Sequence, residues 1–137
     1  MSSRTFIHRL RVPYAHVDKL NFVYYANYLI YFEMARGALL RESGMPCGEL
    51  EKRGIFLPVL ECGCIYRRPA RYDELIEVRS VCSCIRNIRL RIDCEVYREE
   101  ELLVKGYTVH VNMNSQGKAT RLPPELVELG NGKVESD

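Results

Sequence analysis

Apolar and polar residues alternate with a period of two from Thr5 to Tyr14, with Phe6, His8, Leu10, Val12 and Tyr14 on one face. That spacing predicts a strand, and Pro13, which has no N–H for a ladder, places it at a sheet edge or ends it. The period then lengthens. From Ala26 or Asn27 to Ser43, the residues Tyr28, Ile30, Tyr31, Phe32, Met34, Ala35, Ala38, Leu39 and Leu40 cover nearly the whole circumference of a helix, leaving Glu33, Arg36, Arg41 and Glu42 as the polar minority. A helix apolar nearly all round is a buried one. Asn27 is the candidate cap at its start, and Gly44 followed by Pro46 supplies the stop, for a length of about four to five turns.

After a polar connection, GELEKRG, the remaining chain reads as strands. The first runs from Gly54 to Arg68, with Pro58 marking a bend or bulge. The next spans Asp73 to Ile85. From Ile88 to Tyr97 the alternation is almost without error, with Ile88, Leu90, Ile92, Cys94 and Val96 inward and Arg89, Arg91, Asp93, Glu95 and Tyr97 outward. REEE turns into LLVKGYTVHVNM, and NSQG turns into a short KATRL segment ended by two prolines. A lone buried helix can satisfy its circumference only inside a curved sheet, so the prediction is α+β, one long helix wrapped by a concave antiparallel sheet of about five strands. One sheet still covers only part of such a helix, and a partner subunit is the economical cover for the rest. Residues 1–129 form one expected domain, and the stretch 130–137, GNGKVESD, reads as a disordered tail.

Length and charge narrow the function classes. At 137 residues the chain is one domain with a sizeable core, and no apolar run approaches the roughly 20 residues of a membrane span. The opening MSSRTFIHRLRV has no continuous apolar region of the secretory kind, so the expected location is the cytoplasm. A net charge of +2, from 20 basic and 18 acidic residues, is too balanced to point to nucleic acid and suits a small anionic ligand held by a few arginines. Two C-x-C pairs, Cys62 with Cys64 and Cys82 with Cys84, come near zinc-ribbon spacing. Each pair lies in a strand rather than on a turned knuckle, which favours reduced, buried thiols over a metal site.

One pattern carries a family resemblance. Tyr14-x-x-x-Asp18, then Tyr25-x-Asn27-Tyr28, then Phe32-Glu33 and Ala35-Arg36, continued by GIFLPV, YRRPARYDE and RLPPEL, resembles the hotdog-fold acyl-CoA thioesterases of the 4-hydroxybenzoyl-CoA thioesterase class. It looks closest to the branch encoded beside the Tol-Pal envelope genes of bacteria. The resemblance implies a hotdog fold, a thioester hydrolase without metal or redox cofactor, and an acyl-CoA substrate, with acyl carrier protein thioesters as a second carrier class. It also implies a homodimer or homotetramer with the site between subunits. Asp18 stands at the family's catalytic carboxylate, Tyr14 at a position that assists it, and Tyr25 at the first turn of the helix, where its backbone N–H is the element in use. The closer branch usually has His where Tyr25 stands, Gly where Asn21 stands and often Asp where His16 stands. Arg86 matches a basic position that contacts the nucleotide in the 4-hydroxybenzoyl branch, while Ile88 replaces a lysine there.

The chemistry fits that order of elements. Thioester hydrolysis needs an attacking oxygen and a stabiliser for the charge on the carbonyl oxygen; a helix start offers unpaired N–H groups and the positive end of the helix dipole. Asp18, just upstream, can attack or deprotonate a water. The plain alternative is a turn-capping Asp. Tyr24, Tyr28 and Tyr31 read as core or acyl-pocket wall, with Tyr28 and His16 as candidate substrate contacts. His16 could instead be a solvated turn residue or a second acid-base group, as a hydratase or dehydratase on this fold would need. Arg67, Arg68 and Arg71 are followed at once by Asp73 and Glu74, which suggests a salt-bridged loop. A non-catalytic acyl-ligand or protein-interaction module is the remaining class. His8 and His110 lie in strands with no partner spacing.

Overall fold

The computed structural model describes residues 4–130 and 134–135. Most of the expected tail after Gly130 lies outside the described residues. Strand β1 (Thr5–Arg11) is followed by a 3-10 turn at Tyr14–His16, helix α1 (Asn27–Glu42), helix α2 (Cys47–Lys52) and strand β2 (Val59–Tyr66). Then come β3 (Leu75–Ile85), β4 (Arg89–Arg98), β5 (Glu101–Met113), the short β6 (Ala119–Thr120), helix α3 (Pro124–Leu129) and β7 (Val134–Glu135). The principal strands hydrogen-bond in the order β1-β3-β4-β5-β2, all antiparallel. β6 extends β5, and β7 lies parallel beside Cys84 and Ile85.

The inner face of the sheet carries the alternation read from the sequence except at Ile88, which stands in the turn before β4 and is exposed. Ile76, Val78, Ser80, Cys82 and Cys84 of β3 and Leu90, Ile92, Cys94 and Val96 of β4 are buried against α1. The helix answers with Tyr28, Tyr31, Phe32, Ala35, Leu39 and Leu40, all buried. Each large apolar side chain removed from water in this way contributes about 1.5–3 kcal/mol. This is the hotdog arrangement, one helix held in a wrapping antiparallel sheet.

Several boundaries differ from expectation for local reasons. The first strand leaves the sheet at Arg11, because Pro13 has no N–H and Tyr14–His16 turn away. The strand expected from Gly54 enters its ladder only at Val59, after Gly54 at φ 78°, and its register then shifts between Val59 and Glu61. Within GELEKRG the chain forms α2, whose single buried residue, Leu50, is too little for a helical period to show. Proline at the first position starts α3 rather than ending the fold, since its missing N–H would be unpaired there anyway. Asn27 does not cap α1; Ala26 occupies that position, and the Asn27 side chain donates to the His16 carbonyl at 3.0 Å. Nor is α1 buried all round in one chain, since Leu29, Ile30 and Met34 are 37%, 47% and 41% exposed.

Three of the six cysteines, Cys82, Cys84 and Cys94, are buried core thiols, Cys64 is half-buried, and Cys47 and Cys62 are exposed. The Cys62–Cys64 pair on β2 and the Cys82–Cys84 pair on β3 are separated by β5 and β4, about 14 Å along the sheet, so they cannot share one ion. Among the described residues no three His, Cys, Asp or Glu side chains converge. Burial pushes the Cys82 and Cys94 thiols up to about 12. Cys82, Cys84 and Cys94 are therefore expected to stay unlabelled by iodoacetamide at pH 8 in the native protein and to react only on unfolding, as peptide mass spectrometry would show.

His110 is a fully buried core histidine. Nδ1 lies 3.0 Å from the Leu57 carbonyl oxygen, which makes it the donor, and Nε2 lies 2.8 Å from the Thr108 hydroxyl, which makes it the acceptor. The neutral ring is thus satisfied and ties the segment before β2 to β5. Burial, with Arg36 nearby, pushes its pKa down from the ordinary 6.5 to about 4. The unfolded chain takes up this proton near pH 6.5 and the folded chain only near 4, so its contribution is complete above 6.5 and lost as pH falls between those values. At about 1.4 kcal/mol per pH unit, the loss is about 3 kcal/mol. Urea unfolding at pH 7 and pH 4.5 should show this slope, and a His110→Gln variant should flatten it.

Candidate active site

The segment between β1 and α1 closes on Asp18. The Asp18 N–H donates to the Phe22 carbonyl at 2.8 Å, and the Asn21 N–H returns to the Asp18 carbonyl at 3.0 Å. Asn21 takes the left-handed conformation that the tight turn needs, at φ 63°, as expected of an Asn where a Gly is usual. Its side-chain oxygen accepts from the Tyr72 N–H at 3.2 Å, which ties the turn to the start of the β3 region. One carboxylate oxygen of Asp18, Oδ1, accepts from the Leu20 and Phe22 N–H groups at 2.9 and 3.1 Å. The capping role weighed as the plain alternative is therefore real, yet it uses one oxygen. Oδ2 has no hydrogen-bond partner among the described residues, and the side chain is exposed.

The helix start comes to the same place. Val23 pairs with Val17 across the loop, and the Tyr24 N–H donates to the His16 carbonyl at 2.8 Å. The Asn27 side chain donates to that same oxygen, so the entry to α1 is bound twice to the chain just before Asp18. The Tyr25 and Ala26 N–H groups have no acceptor among the described residues. These are the orphan donors of a helix start, at the positive end of its dipole. Asp18 and Tyr25 line one cavity of about 340 Å³ with Phe22, Tyr28, Tyr66 and Arg67. A second cavity, of about 700 Å³, is lined by Asp18, Tyr14 and Tyr72, with the Tyr14 ring edge-on to Tyr72 at 5.3 Å.

The remaining candidates fall in different places. Tyr14 is 76% exposed beside Asp18. Tyr28 is buried in the wall of the smaller cavity, its hydroxyl accepting from the Ala70 N–H at 3.1 Å, and burial raises its pKa. His16 is half-buried with Nδ1 2.9 Å from the Tyr31 hydroxyl, and it lines neither cavity. Tyr31 is fully buried, and burial pushes its phenol up to about 12. Arg86 sits in the turn after β3, whose other end lies by Asp18, so the length of an 11-residue strand, roughly 35 Å measured along it, lies between them in one chain. Of the basic loop, Arg68 pairs with Glu101 at 3.1 Å and Arg71 lies over the Phe22 ring at 5.2 Å, while the Arg67 side chain has no ion pair among the described residues.

Sequence reasoning missed Tyr66 and Arg67 as lining residues. Both lie far along the chain and reach Asp18 only because β2 ends there, a placement set by strand order.

An acid with an oxygen unpaired among the described residues, close in the fold to helix-start amides, on a hotdog scaffold, is consistent with a thioesterase-like protein. Residues 12–129 match the model of the thioesterase-like superfamily, and the chain belongs to that family. It is 26% identical over 111 residues to the Escherichia coli acyl-CoA thioester hydrolase YbgC, covering 81% of this chain and 83% of the relative. Crystal structures of hypothetical proteins from Aquifex aeolicus and Thermus thermophilus superpose with TM-scores of 0.86 and 0.85, at 31% and 33% identity. These cover 90% and 96% of this chain and 98% of each of those chains.

Proposed function

We propose that the protein is an acyl-CoA thioesterase, hydrolysing the thioester to a carboxylate and free coenzyme A. One observation carries the reading: Asp18, whose Oδ2 has no partner among the described residues, and Tyr25, whose N–H has no acceptor among them, line a single cavity at the start of α1. Asp18 attacks the thioester carbonyl carbon, or takes a proton from the water that attacks it. Negative charge moves to the carbonyl oxygen, where the Tyr25 N–H and the helix dipole receive it. The C–S bond then breaks and coenzyme A leaves as the thiol, taking its proton from the protonated Asp18 in the base route and from water in the direct-attack route. In the direct-attack route a water afterwards hydrolyses the acyl–aspartate anhydride and restores the carboxylate. Tyr14 stands beside Asp18 at the rim and orders the incoming ester or water.

The site works between two copies of the chain. The exposed Leu29, Ile30 and Met34 of α1 and the outer edge of β2, unpaired among the described residues, supply the surface for a second copy. Arg86, distant from Asp18 in its own chain, then serves the nucleotide bound at a neighbouring subunit's site. The resemblance carried by the motif from Tyr14 to Arg36 supports a place in the Tol-Pal-associated branch. Hydratase chemistry has less support, because the ring of His16, its candidate partner for Asp18, is engaged with Tyr31.

The test is thiol release from acetyl-, octanoyl- and benzoyl-CoA by the parent and an Asp18→Asn variant, with the protein's own six cysteines subtracted. Turnover by the parent that the variant lacks supports the reading. No turnover on any ester, or equal turnover by both, would sink it.

A further inference from the structure

Tyr66 is the last residue of β2, paired with Val104 of β5, so its position is set by the sheet and not by the Asp18 loop. Its ring meets Tyr25 edge-on, with centroids 6.3 Å apart and planes at 87°, and lies 5.6 Å from the ring of Tyr28. These contacts would suit a phenylalanine equally well. The hydroxyl adds something a phenylalanine cannot: it donates to the Tyr25 carbonyl oxygen at 3.2 Å. That oxygen accepts one other bond among the described residues, a long one of 3.3 Å from the Tyr28 N–H.

The consequence is specific to Tyr25. This residue has an N–H with no acceptor among the described residues and a carbonyl held from outside the helix. Its side chain is 60% exposed and does little to fix the backbone. The residue before it is tied to His16 through the Tyr24 N–H. Tyr66 supplies the corresponding tie on the far side, between the helix entry and the sheet. Burial, together with Cys64 nearby, pushes the Tyr66 phenol up to about 12, so it stays a donor at any working pH.

We propose that Tyr66 is a positioning residue, holding the Tyr25 backbone so that its N–H meets the oxyanion as charge develops. The proposal rests on the assignment of Asp18 and Tyr25 made above. An amide that must be in place before the charge forms gains from being held, because a donor displaced by a fraction of an ångström loses more stabilisation of the charged transition state than of the neutral ground-state ester.

The experiment compares Tyr66→Phe with the parent and Asp18→Asn, using whichever of acetyl-, octanoyl- or benzoyl-CoA the parent turns over fastest. Tyr66→Phe keeps the ring and its packing, so its thermal midpoint should stay close to that of the parent. Its kcat should fall roughly tenfold with KM within about twofold, the signature of an interaction used in the transition state. An unchanged kcat would overturn the proposal, and so would a raised KM at unchanged kcat, which would make the hydroxyl a substrate contact. In a Tyr66→Leu variant the kcat loss should be at least as large, with lower stability; full activity there would also overturn it. If Asp18→Asn retains the parent's activity, or if the parent is inactive on all three esters, the reading of the site fails and takes this inference with it. If Asp18→Asn is inactive while Tyr66→Phe matches the parent, this inference alone fails.

Discussion

Replacing Asp18 by Asn is expected to lower kcat by two or more orders of magnitude on every acyl-CoA ester the parent hydrolyses, while leaving the fold intact. The substitution separates the turn-closing role of this side chain from the catalytic role proposed for it. Asn presents an oxygen where Oδ1 stands, so it can still accept the Leu20 and Phe22 N–H groups that close the turn. In place of Oδ2 it presents an NH₂, which can neither attack a carbonyl nor take a proton from water. The turn loses only the extra strength of a charged acceptor, and stability should fall by no more than about 1 kcal/mol. Asp18→Ala would be the poorer test, since it removes the turn's acceptor along with the reacting oxygen. Circular dichroism and a urea midpoint beside the thiol-release rate decide the matter. A folded variant with parental activity would reduce Asp18 to a turn residue.

The largest effect on stability is expected at Phe32. Its ring is 1% exposed, in the middle of the buried face of α1, and it lies directly on the backbone of β5 at Gly106. A Cβ built on Gly106 would come 2.6 Å from the Phe32 ring and 2.6 Å from the Gly63 carbonyl oxygen. Glycine at that position is what lets a large ring sit close to the strand, and the neighbouring β2 limits how far the sheet can move inward to fill a void. Phe32→Ala should therefore cost about 4 kcal/mol, from lost transfer free energy and a cavity that closes only partly. Against the 5–15 kcal/mol typical of folded domains, that is a large fraction. Urea denaturation of parent and variant, compared at equal m-value, measures it; a loss under about 1 kcal/mol would mean that the site collapses freely.

The two predictions draw on different parts of the chain, and they were readable from the sequence to different degrees. Asp18 stands out locally, because an acid between a two-residue period and a helical period falls at a strand-to-helix turn whatever the rest of the chain does. Phe32 is recognisable as a core residue from the same periodicity. Its seat on Gly106 is not, because that contact depends on how β5 is aligned with β2 and β4. α2 and α3 escaped notice because each buries only one apolar residue, which leaves no period to find.

What the sequence determined by itself is whatever depends on neighbours along the chain. The strand and helix periods come from which positions must leave water, the left-handed turn at Asn21 from a side chain that tolerates it, and the free amides at Tyr25 and Ala26 from the geometry of any helix start. The tertiary structure decided the contacts between residues far apart in sequence. Strand order brings the end of β2, and with it Tyr66 and Arg67, to the cavity beside Asp18, and the length of β3 carries Arg86 to the opposite end of its own chain. Packing also turns the His16 ring toward Tyr31 and places the polar Thr108 and His110 on the inner face of β5, where each satisfies the other. Periodicity reports which face of an element is buried. It holds no information on which distant element covers that face, because that choice is made by register and packing over the whole domain.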